Sequence, residues 1–226
     1  MKELKLAIFD LAGTTVLDKN GVAQCLQKAL GQNGLSITFE DANEVMGIPK
    51  PIAIEALLKK YRKTGNVSNV HQEFMGLMQS YYESSDEVVE IPGAASAFAE
   101  LREMGFKIAL DTGFDRKTTD ILLSRMPWTG LIDDSITSDE VAQGRPFPEM
   151  IFELARRAEV KPKAVMKVGD TPSDLQEGES AGVGLNLGVL SGAHTREQLE
   201  VYAHDALISS VADLPSFLRK RYKHEE

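Results

Sequence analysis

The stretch LAIFDLAGTT, residues 6–15, raises the fold and the function together. Its apolar residues Leu6, Ala7, Ile8 and Phe9 read as a short buried strand, and Gly13 begins a polar turn, so Asp10 belongs at the strand's carboxyl end. Open α/β sheets place their ligands at that end. A lone aspartate there is either a turn or helix-cap residue or a group aimed at a ligand, and the remainder of the chain must separate the two.

Working outward, residues from about 21 to 87 read as helices with no strand between them. Helical spacing appears at Val22, Leu26, Ala29 and Leu30, then at Ile52, Ile54, Leu57 and Leu58, then at Phe74, Met75, Leu77, Met78 and Tyr81, with a polar break at Thr64-Gly65-Asn66. From Pro92-Gly93 onward helix and strand alternate. The spacing predicts a helix to near Gly105, a strand over 106–110, helices over 115–126 and 149–158, a strand over 165–168, a helix over 173–181 and a strand over 183–189. Alternation of this kind means a parallel sheet covered on both faces. The expected fold is therefore α/β: a Rossmann-like parallel-sheet core from residues 1–15 and 88–226, interrupted by a helical cap domain at 16–87.

The chain of 226 residues, 42% hydrophobic and 26% charged, is long enough for one good core and a smaller satellite. Its net charge of -9 argues against a nucleic-acid or anionic-membrane surface and favours a small-molecule partner. Cys25 is the single cysteine, the start shows no signal-peptide pattern and no apolar run approaches a membrane span, so a cytoplasmic, disulfide-free protein is expected.

Four stretches fall where sheet strands should end, and each carries residue types suited to phosphoryl chemistry: FDLAGTT at Asp10, LDTGF at Thr112, GRPFP at Arg145, and VGDTPSD at Asp170 and Asp174. Taken together, they favour the ligand reading of Asp10. In order and type they resemble the four motifs of the haloacid dehalogenase superfamily over nearly the whole chain. The resemblance implies that Asp10 is a carboxylate nucleophile forming a covalent aspartyl intermediate. It implies that Thr112 and Gly113, with Ala12 and Gly13, bind the phosphoryl group, and that Arg145 neutralises phosphoryl charge and holds the nucleophile. Asp10, the Ala12 carbonyl and Asp170 would hold a magnesium ion. Asp174 would reach that ion through water or backbone, or else simply start a helix.

Phosphatases of this superfamily resemble one another in a second aspartate two residues after the first, as acid and base. Here that place is Ala12. The phosphonoacetaldehyde hydrolase branch is more similar, because DLAGTT looks like its Asp-x-Ala-Gly-Thr-Thr signature, and GRPFP and KVGDTPSD look like its later motifs. That branch cleaves a carbon-phosphorus bond after a cap lysine forms a Schiff base, which turns the leaving carbanion into an enamine. Lys50 has the matching place in MGIPK, with Met46 and Gly47 lining the substrate, in a loop that Pro49 and Pro51 hold extended. Arg145 is expected nearby, disfavouring the lysine's charge. One departure stands against the match: a histidine three positions after that lysine is Ala53 here.

Three functions remain open from sequence. The first is magnesium-dependent hydrolysis of phosphonoacetaldehyde or a related small phosphonate. The second is a phosphomonoester phosphatase of the same fold, and the third a non-catalytic binder of phosphorylated metabolites. Tyr81, Tyr82 and Met78 are expected either to form a homodimer surface or to pack inside the cap.

Overall fold

The computed structural model describes residues 4–17, 19–46 and 49–222. Its main sheet has six strands: β1 Leu6–Phe9, β4 Lys107–Thr112, β5 Asp134–Thr137, β6 Val165–Gly169, β7 Leu185–Val189 and β8 Ala206–Ile208. Every pairing is parallel, in the order β5-β4-β1-β6-β7-β8. All four residues of β1 are buried because both its faces are covered. Ala7 and Phe9 point into the larger core with helix α5, Ala94–Glu103, where the Phe9 and Phe98 rings meet edge to face at 5.1 Å. Leu6 and Ile8 point the other way, into a second cluster with Met150, Ile151 and Leu154 of α7, Glu149–Arg157.

Strand β1 lies between β4 and β6, so the direction of winding reverses across it, which makes its carboxyl end the sheet's switch point. The register sets Phe9 level with Leu110 and with Val168, so residues just past all three strands emerge side by side.

A helical insert separates β1 from β4: α1 Gly21–Gln32, α2 Phe39–Glu44, α3 Lys50–Lys60 and α4 Val67–Ser84. Its chain leaves and returns through a two-stranded antiparallel ribbon, β2 Val16–Leu17 against β3 Val89–Glu90. In α4 the buried residues Val70, Phe74, Met78 and Tyr82 recur every four positions, one apolar stripe turned inward. The stripe packs on α1 and α3, and α4 also packs on α6, Arg116–Arg125, where the Tyr82 and Phe114 rings lie 5.4 Å apart. The remaining helices are α8 Pro172–Ala181, α9 Arg196–Leu199 and α10 Leu214–Tyr222. No helix among the described residues is long and apolar enough to cross a membrane.

Three expectations need correction. Lys50 does not sit in an extended loop but opens α3, with Pro49 as N-cap and Pro51 in the first turn, where the N–H that proline lacks would have no helical partner. The seventh strand starts at Leu185, because Val183 and Gly184 turn back onto the core, Gly184 N–H donating to the Val165 carbonyl at 2.9 Å. Ile52 belongs to the helical spacing yet is 58% exposed. Of the two places open to Met78, Tyr81 and Tyr82, the packed one holds: Met78 and Tyr82 are buried, and Tyr81 lies over Gly21, where a Cβ would come within 2.3 Å of its ring.

Candidate active site

The sheet's switch point opens into a cavity of about 660 Å³ whose other wall is the helical insert. Asp10, Ala12, Gly13, Thr112, Gly113, Arg145 and Asp170 line it from the sheet side, and Met46 and Lys50 from the insert. Gly47 lies outside the described residues. Asp174 sits one layer deeper, fully buried in the first turn of α8. Phosphoryl-binding and nucleophile candidates from four distant stretches thus face one space, together with the lysine of the insert.

The backbone after β1 is a tight loop. The Thr15 and Val16 N–H groups both donate to the Leu11 carbonyl, at 2.9 and 2.8 Å, and Gly13 N–H donates to Val16 at 2.8 Å. Gly13 has φ 92° and must be glycine twice over, since a Cβ there would lie 2.5 Å from an Asp170 oxygen. Gly192 presses on the same carboxylate from the other side, at 1.9 Å for a built Cβ. Asp170 is held by the Thr14 hydroxyl at 3.0 Å and the Ala193 N–H at 2.9 Å. Thr112, at the end of β4, accepts the Phe114 N–H on its hydroxyl at 3.2 Å.

Arg145 is the keystone of the charged groups. One terminal nitrogen donates to Asp10 at 2.6 Å, the other donates to Asp174, and Nε lies 3.9 Å from Glu177. Beneath it lies a group that the sequence reading missed. Lys167, in the middle of β6 and fully buried, pairs with Asp111 of β4 and reaches Asp174 at 3.2 Å and Glu177 at 3.1 Å. Five buried carboxyl groups, Asp10, Asp111, Asp170, Asp174 and Glu177, therefore face two cations, an excess of three negative charges if all ionise.

The protonation preferences follow from burial first and from that imbalance second. Burial pushes Asp10 up to about 6 against the pull of Arg145, with Asp174 adding to the rise. Burial, then Asp10 and Asp174, hold Asp170 well above the carboxylate range. Burial and Asp111 do the same for Glu177. Asp174 alone moves down, because Arg145 and Lys167 outweigh its burial.

One oxygen from each of Asp10, Asp170 and Asp174 lies within 4.8 Å of the other two, an all-oxygen donor set suited to a hard cation. A divalent ion there would offset the surplus negative charge that adds to burial in favouring protonation of Asp10 and Asp170. Asp174 has little left to offer it. One of its oxygens takes Arg145 and Lys167, and the other takes the Thr171 N–H at 3.1 Å and the Thr171 hydroxyl at 2.6 Å. The residues with lone pairs to spare are Asp10 and Asp170, whose oxygens each take at most one donor among the described residues.

Lys167 carries a structural prediction. Lys167→Met keeps the volume but strands three buried carboxyl groups with Arg145 as their one cation, and breaking such a buried set costs about 3–5 kcal/mol. Urea denaturation followed by circular dichroism should show that loss; a change under about 1 kcal/mol would mean the network contributes little.

A family model described as haloacid dehalogenase-like hydrolase matches residues 7–187. A phosphonoacetaldehyde hydrolase of Bacillus cereus strain G9842 is 33% identical over 218 residues, covering 88% of this chain and 81% of the relative. Among solved structures, a phosphonoacetaldehyde hydrolase-like protein from Oleispira antarctica is similar at a TM-score of 0.85 and 22% identity, covering 99% of this chain and 95% of the other. A predicted phosphoglycolate phosphatase from Haemophilus somnus 129pt is similar at 0.82 and 19% identity, covering 96% and 99%. Such structural likenesses show the fold that these proteins share.

Proposed function

We propose that this chain, which belongs to the haloacid dehalogenase-like hydrolase family and is an enzyme of it, hydrolyses a small phosphonate bearing an aldehyde, phosphonoacetaldehyde or a near relative, with magnesium as cofactor. The observation that carries this reading is the pairing of Ala12 with Lys50. The cavity contains the Asp10 nucleophile and a primary amine from the insert, while the residue two places after the nucleophile has no acid to give a leaving group. A phosphate ester needs that acid. A phosphonate whose carbonyl has become a protonated imine does not, because the imine accepts the electron pair of the breaking carbon-phosphorus bond.

The residues divide the work as follows. The Lys50 amine adds to the aldehyde and water leaves, giving the imine. An Asp10 oxygen attacks phosphorus, the carbon-phosphorus pair moves into the imine as an enamine, and Asp10 holds the phosphoryl group as an acyl phosphate. Protonation of the enamine carbon and hydrolysis return Lys50 and release acetaldehyde; water then frees phosphate from Asp10. Arg145, bonded to Asp10, keeps that carboxylate ionised and aimed, and Thr112, Gly113, Ala12 and Gly13 surround the phosphoryl oxygens. Asp10, Asp170 and the Ala12 carbonyl are the groups to hold magnesium, which when bound supplies charge neutralisation at the phosphoryl oxygens. Asp174 acts through Arg145. The helical insert serves as the cap that excludes water from the imine.

Borohydride added during turnover of phosphonoacetaldehyde tests this. It should reduce the imine, inactivate the enzyme and leave a two-carbon fragment on the peptide that contains Lys50. Release of phosphate from small phosphate esters with no such adduct would assign the protein as a phosphatase instead.

A further inference from the structure

An amine must be uncharged to attack a carbonyl, and an unperturbed lysine is almost wholly an ammonium ion near neutrality. Lys50 therefore needs a group to take its proton. Arg145 cannot serve, because its guanidinium, paired with Asp10 and Asp174, already carries its proton and cannot accept another. The next turn of α3 cannot serve either. Ala53 is completely buried within the insert, so a side chain at that position would face the packing of the cap and not the cavity.

The helix packed against α3 supplies what α3 lacks. His71, in the second turn of α4, lines the same cavity as Lys50 and Asp10, and among the described residues it is the one histidine that does so. We propose that His71 is the proton carrier for Lys50: its ring takes the ammonium proton as the amine attacks, and returns it to the hydroxyl of the carbinolamine as that group leaves as water. The balance closes without a further reactant, since ammonium and aldehyde become protonated imine and water, and His71 ends as it began. The inference rests on the imine chemistry proposed above.

The surroundings suit that task. Burial holds the His71 ring below its ordinary titration range; Asp115, at the head of α6, opposes this, and the Lys50 charge adds to it. The ring is neutral and able to accept a proton at pH 7. Among the described residues those two are the charged groups that reach it, one the N-cap of α6 and the other the first residue of α3; the residues of α1 that line the cavity, Val22 and Ala23, are apolar. His71 is half-buried, so small bases from solvent can enter the space its removal would leave.

The test follows the rate of borohydride-trapped adduct at Lys50 against pH. In the wild type the rate should fall on the acid side as His71 takes up a proton. His71→Ala should slow trapping by about 10²-fold, the usual contribution of one positioned acid-base group, and replace the ring's titration by a rate that simply follows the free-amine fraction of Lys50. Added imidazole should restore much of the rate, which a purely structural role would not allow. His71→Gln, which keeps a polar side chain in the fold, should be equally slow and should not titrate. Vanadate binding, which engages the Asp10 side of the cavity, should be unchanged in both variants. Trapping in both variants at the wild-type rate and with the wild-type pH profile would overturn the role of His71 and leave the imine mechanism standing. Absence of any adduct in the wild type would remove both.

Discussion

Asp10→Asn should cut phosphonoacetaldehyde turnover by at least about 10⁴-fold, the scale seen when a covalent nucleophile is removed. The substitution preserves shape: the amide oxygen can still accept the Arg145 N–H that now lies 2.6 Å from the carboxylate, so the keystone between Asp10 and Asp174 survives. It also removes one of five carboxyl groups from a space with two cations, and nothing in that change opposes folding. What disappears is the charge that makes the oxygen a nucleophile. Phosphate release by the variant, set beside its thermal melting curve, checks this. Activity within tenfold of wild type in a normally folded variant would take Asp10 out of the reaction.

Lys50→Arg should abolish carbon-phosphorus cleavage, a fall of at least about 10³-fold, while phosphate or vanadate binding changes only a few-fold. Guanidinium keeps the positive charge at the head of α3, and arginine is as good a helix former as lysine, so the insert keeps its form. A guanidinium that never loses its proton cannot attack a carbonyl. A lysine that only attracts a phosphoryl group would tolerate the change, so retention of a tenth or more of the activity would return Lys50 to a binding role. Parallel measurement of acetaldehyde and phosphate distinguishes lost cleavage from lost product release.

The parts of the site that could be read ahead of the structure are those at strand ends. Asp10, Thr112 and Asp170 each follow or close an apolar run that can only be a buried parallel strand, and parallel strands in register deliver their ends to one edge. Lys167, Asp111 and Glu177 escaped that logic. A lysine inside Val165-Met166-Lys167-Val168 reads as a defect in a strand until its three acidic partners, supplied by β4 and α8, are seen around it. Its signal was nonetheless present, since a charge at an inward position of a strand buried on both faces must have a partner. His71 gave no such signal: it lies one helix further along from Lys50, and only the packing of α3 on α4 brings both to one cavity. The two-residue strands β2 and β3 carry too few residues for any periodicity to show.

The place of β1 at the middle of the sheet has a consequence for how the protein is made. Leu6 pairs with Lys107 on one side and with Val165 on the other, so the strand that ends in Asp10 leaves the ribosome long before either neighbour exists. Until then it is an unpaired apolar segment with both edges open, the kind of segment that invites misassociation. The helical insert, whose helices α1 to α4 pack largely on one another, can organise during that interval. The ribbon that returns at Val89–Glu90 would then bring the waiting strand back to the growing sheet. Completion of the sheet edge that lines the cavity becomes a late event, gated by synthesis of β6 and the Asp170 turn, and a nascent chain halted before residue 165 would hold Asp10 but no site.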